Sequence, residues 1–287
     1  MSTSFYSFRE KKLVQDVKSA IAIESIVSVA IDAGKEILKI YQMDKFAKSI
    51  KQDNSPLTEA DIASHNLITQ QLQKLTPTIP ILSEESANIS WDVRKDWSCY
   101  WLIDPLDGTK EFIKQNGEFT VNIALIENHE PVIGIVHAPV LDATWIGEKG
   151  NPARKIQAGK QQKIQVSHHK TGEPWKVVGG RSHTGDSLNT FLSKLGAYEL
   201  ISMGSSIKLC LVAEGEVNIY PRLGLTSEWD TAAAHAVVNA AGGEVIIAES
   251  GQPLLYNTKE SILNPHFLVQ PVALPEKRTK IGVTASE

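Results

Sequence analysis

The chain has 287 residues, of which 42% are hydrophobic and 22% are charged, as in soluble globular proteins and unlike disordered, collagen-like or fibrous ones. Its net charge of −4 provides no bulk attraction for nucleic acid or an anionic membrane. Two cysteines without a CxxC pair argue against a disulfide framework and favour a reducing compartment. We find no apolar run of signal-peptide or membrane-span length and expect a cytoplasmic protein; peripheral association with the inner membrane stays open.

The first half of the sequence predicts helices followed by antiparallel strands. Apolar residues recur at helical spacing over 21–43 and again over 58–75. Short apolar stretches at 79–82 and 100–103 predict strands that run directly into acidic residues. A β-meander is expected next, with strands over 119–127, 131–138 and 143–147. Residues 1–20 precede this pattern and are interpreted as an N-terminal arm.

The second half alternates between predicted strands and helices, which is typical of α/β layers. Strands are expected over 176–179, 199–203, 217–220 and 244–248, and helices over 186–195, 206–214 and 229–241. The length agrees with about two domains. We therefore divide the chain into the arm, an α+β subdomain over 21–160 and an α/β subdomain over 161–287.

The segment Asp104-Pro-Leu-Asp-Gly-Thr109 holds two carboxylates, a proline, a glycine and a hydroxyl within six residues. The proline fixes φ and the glycine allows close backbone approach, so the segment can direct both carboxylates to one point and expose N–H groups to an anion. A solvated acidic turn is the alternative, because Asp-Pro and Asp-Gly are common turn dipeptides. The hexapeptide alone leaves both interpretations open.

Two further carboxylates make the metal interpretation stronger. Glu84 follows another short strand, and Asp230 begins a helical run. Carboxylates about 5 Å apart repel one another by roughly 3 kcal/mol at an effective dielectric near 20, so their convergence requires cations. Oxygen ligands select hard metals, and Mg²⁺ combines carboxylates with water and substrate phosphate. The set therefore predicts metal-assisted hydrolysis of a phosphate ester.

These motifs resemble the signatures of the inositol monophosphatase superfamily and, within it, those of bacterial 3′(2′),5′-bisphosphate nucleotidases of the CysQ type. The resemblance covers about residues 23–267. It implies a layered αβαβα sandwich with a metal-binding first subdomain and a substrate-recognition second subdomain. The motifs that carry it are DNSPLTEAD at 53–61, LSEE at 82–85, WLIDPLDGTKEF at 101–112, GEFTVNIAL at 117–125, RSH at 181–183, GSSIKLCLVAEG at 204–215 and WDTAAAHA at 229–236.

The resemblance also implies roles for individual residues. One Mg²⁺ would be held by Glu84, Asp104 and the carbonyl of Leu106, a second by Asp104, Asp107 and Asp230, and a third, weaker ion would lie near Glu84. Thr109 and Asp53 would orient and deprotonate the attacking water. The substrate-binding residues would be Glu84, Leu106, Asp107, Gly108, Thr109, His183, Ser205, Lys208, Arg222 and Asp230. Of these, Lys208 and Arg222 would bind a second phosphate.

The function implied by the resemblance is removal of the 3′-phosphate of adenosine 3′,5′-bisphosphate to give AMP, with its sulphated precursor as a further substrate. This reaction clears a by-product of sulphate assimilation and is typically lithium-sensitive. An inositol monophosphatase is the nearest alternative, and a non-catalytic phosphonucleotide sensor is an alternative of another class. The expected partner is this small-molecule substrate, with no nucleic acid and no transmembrane segment, and the protein is expected to be a monomer or homodimer.

Overall fold

The computed structural model describes residues 22–43, 55–86, 88–181 and 186–272. Its helices are α1 (Ile23–Tyr41), α2 (Ser55–Leu75), α3 (Trp91–Arg94), α4 (Thr109–Ile113), α5 (Asp186–Leu195), α6 (Ile207–Ala213) and α7 (Trp229–Ala240), with a 3-10 turn at Glu84–Ser86. Its strands are β1 (Ile81–Ser83), β2 (Cys99–Asp107), β3 (Thr120–Glu127), β4 (Glu130–Ala138), β5 (Ala143–Glu148), β6 (Arg154–Gln157), β7 (Lys160–Lys163), β8 (Trp175–Gly179), β9 (Tyr198–Ser202), β10 (Tyr220–Arg222), β11 (Gly243–Ile247) and β12 (Phe267–Pro271).

A seven-stranded sheet forms the centre of the first half, with strand order β1 to β7 as in the sequence. β1 pairs with β2 in parallel, whereas each later pair is antiparallel. The strands between β2 and β5 are buried almost throughout, which is expected for a sheet covered on both faces. Helices α1 and α2 cover one face through an apolar cluster that includes Ile26, Ile37, Ile68 and Ile123.

Helix α7 covers the opposite face, so the second half of the chain completes the core of the first. Its run of alanines lets the helix approach the sheet closely. A Cβ atom added at Gly134 of β4 would lie 2.0 Å from the carbonyl oxygen of Ala233. Only glycine fits at that position, and a larger residue would push away the helix whose first turn carries Asp230.

The second half adds another layer of sheet and an outer helix. β10, β12 and β11 form an antiparallel sheet in that order, while β8 and β9 pair in parallel. An isolated bridge joins Val177 of β8 to Ile219, just before β10. Helix α5 packs on the outer side through Leu188, Phe191 and Leu192. The order of layers is therefore helix, sheet, helix, sheet and helix, which agrees with the predicted αβαβα sandwich.

Most predicted elements are present, and three differences concern strands. The hairpin of β6 and β7 was not predicted, because the sequence of β7, KQQK, is exposed throughout and lacks an apolar face. β12 was not predicted, although it is the central strand of the antiparallel sheet. The strand predicted at 217–220 lies instead at 220–222 and contains Pro221. Among the described residues, no helix is both long and apolar enough to cross a lipid bilayer.

Candidate active site

The acidic motif was expected to follow strand β2, but the strand continues through it to Asp107. Its register against β3 shifts between Asp104 and Asp107, and this irregularity lets the backbone of the motif leave the regular ladder. Two hydrogen bonds fix its shape. The Leu106 amide donates to Asp104 Oδ1 at 3.0 Å, and the buried Ser64 hydroxyl of α2 donates to the Pro105 carbonyl at 2.8 Å.

Three carboxylates from separate elements converge beside this motif. Glu84 comes from the 3-10 turn after β1, Asp104 from β2 and Asp230 from the first turn of α7. One oxygen atom from each lies within 4.8 Å of the others. Asp104 is buried, Asp230 is partly buried and Glu84 is exposed, so the cluster opens to solvent on one side. Three oxygen donors at this spacing can hold a hard metal ion.

The proton affinities of these groups reflect the concentration of negative charge. Burial raises the pKa of Asp104 well above its usual range, and Asp107, Glu84 and Asp230 raise it further. Burial and the charge of Asp107 raise the pKa of Asp230 to about 8. The pKa of Asp107 is also raised by burial, although Lys208 opposes the shift. A cation bound among these groups would reverse these shifts, because it favours the ionised carboxylates.

Asp107 connects the acidic cluster to a cleft lined mostly by residues of the second half. Its Oδ2 accepts a hydrogen bond of 2.6 Å from the Ser206 amide, just before helix α6. Asp107 and Asp230 line the cleft together with residues of the second half. The lining includes Gly108, Arg181, Ser205, Lys208, Tyr220 and Arg222. Metal-ligating and substrate-binding groups would thus share one opening.

Gly108 shapes the backbone between the acidic cluster and helix α4. Its φ is +99°, and a Cβ atom there would lie 3.0 Å from the Glu118 carbonyl oxygen and 3.1 Å from Ser205 Cβ. A side chain would be strained in conformation and crowded by both halves of the molecule. Thr109 follows as the exposed first residue of α4.

The predicted second-phosphate residues lie in the cleft. Lys208 Nζ donates to the Ser205 carbonyl at 2.5 Å and lies 5.6 Å from the centre of the Tyr220 ring. Burial lowers the pKa of Lys208 to about 8, although Asp107 opposes the shift. Arg222 Nη2 donates to the Leu225 carbonyl at 2.5 Å, and its Nε donates to Thr226 Oγ1. These bonds hold both cations in place at the cleft wall.

Two predicted residues, Asp53 and His183, lie outside the described residues. The sequence analysis also missed an acidic residue near the cluster, Asp61 of α2. Burial raises the pKa of Asp61 to about 8, with further contributions from Glu85 and Glu84. The signal available was the position of Asp61 at the end of the motif DNSPLTEAD, in which only the first aspartate was predicted to be a site residue.

A buried polar network fixes the start of α7 and was also missed. Glu228 precedes the helix, and its Oε2 accepts a hydrogen bond of 2.9 Å from the Asn257 amide. Arg94 Nη1 donates to Asn257 Oδ1 at 2.5 Å, and the Asn257 side chain donates back to the Arg94 carbonyl at 2.6 Å. The network holds the helix turn that carries Asp230, and its long sequence separations left no local signal.

Comparison with known proteins identifies the class to which this fold and site belong. The sequence profile described as the inositol monophosphatase family matches residues 19–280. The chain therefore belongs to the inositol monophosphatase family. An inositol monophosphatase structure from Anabaena is 25% identical, has a TM-score of 0.67 and aligns with 86% of this chain and 89% of its own.

Within the family, the chain is similar to proteins named 3′(2′),5′-bisphosphate nucleotidase CysQ. The Salmonella typhimurium protein is 50% identical over 248 residues, which are 86% of this chain and 98% of that protein. The Bacteroides thetaiotaomicron CysQ structure is 40% identical, with a TM-score of 0.80 and coverage of 88% of this chain and 97% of its own. The resemblance inferred from the motifs is confirmed at both levels.

Proposed function

We propose that the protein is a metal-dependent 3′(2′),5′-bisphosphate nucleotidase that removes the 3′-phosphate of adenosine 3′,5′-bisphosphate and leaves AMP. The central observation is that the cluster of Glu84, Asp104 and Asp230 opens beside a cleft lined by Lys208 and Arg222. A monophosphate ester needs the acidic cluster alone. A bisphosphate also needs positively charged side chains away from the acidic cluster, where its second phosphate binds. The names of the similar relatives agree with this substrate.

The donor set fits Mg²⁺, because it offers only oxygen atoms. Glu84, Asp104 and the Leu106 carbonyl would hold one ion, and Asp104, Asp107 and Asp230 a second, with a third near Glu84. Bound ions would neutralise phosphate charge and lower the pKa of the attacking water. The raised pKa values of Asp104 and Asp230 support this proposal, since two groups so placed ionise together only beside a cation.

The remaining roles concern proton transfer and phosphate binding. The Thr109 hydroxyl orients the attacking water, and Asp53 accepts its proton through that hydroxyl. The Gly108 and Thr109 amides, which follow Asp107 at the start of α4, bind the reacting phosphate, because exposed backbone N–H groups favour an anion. Asp107 aligns this part of the site with the cleft through its bond to the Ser206 amide.

Recognition of the nucleotide falls to the second half. Lys208 and Arg222 bind the 5′-phosphate, and Ser205 and His183 contact the adenosine. The positively charged side chains of Lys208 and Arg222 favour a ligand with several negative charges, because charge-assisted hydrogen bonds to phosphate are stronger than neutral ones. The same cleft would accept the sulphated nucleotide that carries an additional group on the 5′-phosphate, which places the activity in sulphur assimilation.

The test compares kcat/KM for adenosine 3′,5′-bisphosphate and inositol 1-phosphate with saturating Mg²⁺. We expect the nucleotide to be preferred by at least about a hundredfold, because two phosphate-binding cations have no partner on inositol 1-phosphate. Preference for inositol phosphate would refute the substrate assignment. Tight nucleotide binding without phosphate release would support a sensor, and Asp107→Asn serves as the inactive control.

A further inference from the structure

Glu118 lies behind the wall of the cleft, at the contact between the two halves of the chain, and has no role in the reaction described above. Its carboxylate accepts hydrogen bonds from Arg181 Nε at 3.0 Å, from Arg181 Nη2, and from the Gly204 amide at 2.8 Å. Glu118 retains 12% exposure and Arg181 retains 44%. Arg181 lines the cleft, so Glu118 contacts a cleft residue from behind.

The bond to Gly204 fixes one end of residues 204–206, which we call the recognition loop. The Asp107 carboxylate fixes the other end through the Ser206 amide, at 2.6 Å. Between these two carboxylates, Ser205 has a φ of +49°, a conformation that non-glycine residues adopt only when their surroundings require it. Its carbonyl accepts the hydrogen bond of Lys208 Nζ. The position of Glu118 therefore affects both Arg181 and the carbonyl that holds Lys208.

Glu118 is held in the charged form that these contacts need. Burial raises its pKa, but the hydrogen bonds from Arg181 and Gly204 outweigh burial, and the net pKa is lowered. Its own amide donates to Asn116 Oδ1 at 3.0 Å, which fixes the backbone. Two cleft elements from the second half are thus attached to one carboxylate of the first half.

We propose that Glu118 is a positioning residue for the non-reacting end of the substrate: it aims Arg181 into the cleft and sets the recognition loop that holds Lys208. This inference rests on the proposed function, in which that end carries adenosine and its 5′-phosphate. Glu118 contributes through the cations it places and does not itself contact the nucleotide. Its effect is expected in nucleotide binding and not in the hydrolysis step.

The test uses the two products as separate probes. AMP occupies the recognition end of the cleft, and inorganic phosphate occupies the acidic cluster. For Glu118→Gln we expect the Ki of AMP and the KM of the bisphosphate to rise about tenfold, the size expected when a charge-assisted pair is weakened. The kcat and the Ki of phosphate should stay within about twofold of the wild type. Glu118→Ala also removes the hydrogen bond from the Gly204 amide, so it should raise the Ki of AMP and the KM of the bisphosphate further.

Glu111→Gln is the matched control, because Glu111 also lines the cleft as a carboxylate but accepts none of the hydrogen bonds found between Glu118 and the recognition loop. Removing its charge should tighten AMP binding, since AMP is an anion. Tighter or unchanged AMP binding in Glu118→Gln would overturn the proposal. Equal changes in the Ki values of AMP and phosphate, or loss of kcat alone, would also overturn it.

A double variant tests the pairing with Arg181. Arg181→Met leaves the Glu118 charge unpaired beside an anionic ligand, so adding Glu118→Gln should restore part of the lost AMP affinity. Multiplied losses in the double variant would contradict the proposed pairing. A wild-type protein that neither binds AMP nor hydrolyses the bisphosphate would refute the proposed function itself, whereas normal wild-type turnover with the contrary variant results would refute only the role of Glu118.

Discussion

Replacing Asp104 with asparagine should stabilise the protein without metal and abolish its response to Mg²⁺. Asp104 is buried at the centre of the acidic cluster, and its oxygen lies within 4.8 Å of oxygens from Glu84 and Asp230. The asparagine keeps an Oδ1 that can accept the hydrogen bond from the Leu106 amide. Its Nδ2 can donate to the remaining carboxylates, so the change removes charge and preserves shape.

The expected size follows from Coulomb's law. Two ionised carboxylates at 4.8 Å repel one another by about 3.5 kcal/mol at an effective dielectric near 20. Protonation limits this penalty, because the pKa of Asp230 is raised to about 8. We therefore expect Asp104→Asn to raise the free energy of unfolding of the metal-free protein by about 2–3 kcal/mol. That gain corresponds to a rise in Tm of roughly 5–10 °C for a chain of this size.

The assay is thermal unfolding in EDTA and in a Mg²⁺ series, followed by circular dichroism. Mg²⁺ should raise the Tm of the wild type. At a free Mg²⁺ concentration of a hundred times Kd, binding adds about 2.7 kcal/mol to the free energy of unfolding. Asp104→Asn should begin higher in EDTA and respond little, with phosphate release reduced at least about a hundredfold. The exposed control Asp32→Asn should behave as the wild type. A variant less stable in EDTA that keeps its Mg²⁺ response would refute the reasoning.

Three further predictions test the turn, the cleft and a buried histidine. Gly108→Ala should lower the free energy of unfolding by about 1–3 kcal/mol and remove most of the activity. Gly150→Ala, at a φ of +91° with open space around it, should lower the stability and leave the activity unchanged. Urea unfolding and initial rates of phosphate release distinguish the two variants. Lys208→Met should raise the KM of the bisphosphate at least about tenfold, and an unchanged KM would exclude a phosphate contact. Burial lowers the pKa of His137 to about 4. Between pH 6.5 and pH 4, the unfolded chain therefore binds a proton at His137 that the folded chain does not bind. The contribution of His137 to the free energy of unfolding should therefore fall by up to about 3 kcal/mol from pH 6.5 to pH 4, and the difference between wild type and His137→Asn in urea unfolding at the two pH values measures it.

The sequence predicted elements whose signal is local. Helix α5 has the predicted bounds of 186 and 195, since its apolar positions recur at helical spacing and Gly196 follows its end. The meander of β3, β4 and β5 was also predicted, because each strand is a buried run bounded by a turn. In contrast, β7 has four exposed polar residues and no periodicity to detect.

The candidate site divides in the same way. Glu84, Asp104 and Asp230 could be predicted to converge because each lies in a recognisable motif, at the end of a predicted strand or the start of a predicted helix. The hydrogen bonds that fix the backbone around the site could not be predicted. Arg94 and Asn257 are 163 residues apart in the chain, and Glu118 and Gly204 are 86 apart. Such contacts depend on how the layers pack, and a single sequence contains no periodicity or spacing that reports it.

The most direct test of the proposed activity is to identify the product. Adenosine 3′,5′-bisphosphate incubated with the protein and Mg²⁺ should yield one equivalent of phosphate and one of 5′-AMP, which ³¹P NMR distinguishes from 3′-AMP. The reaction should stop with EDTA and be absent in Asp107→Asn. Formation of 3′-AMP, or no turnover by Mg²⁺-loaded protein that binds the nucleotide, would contradict the account.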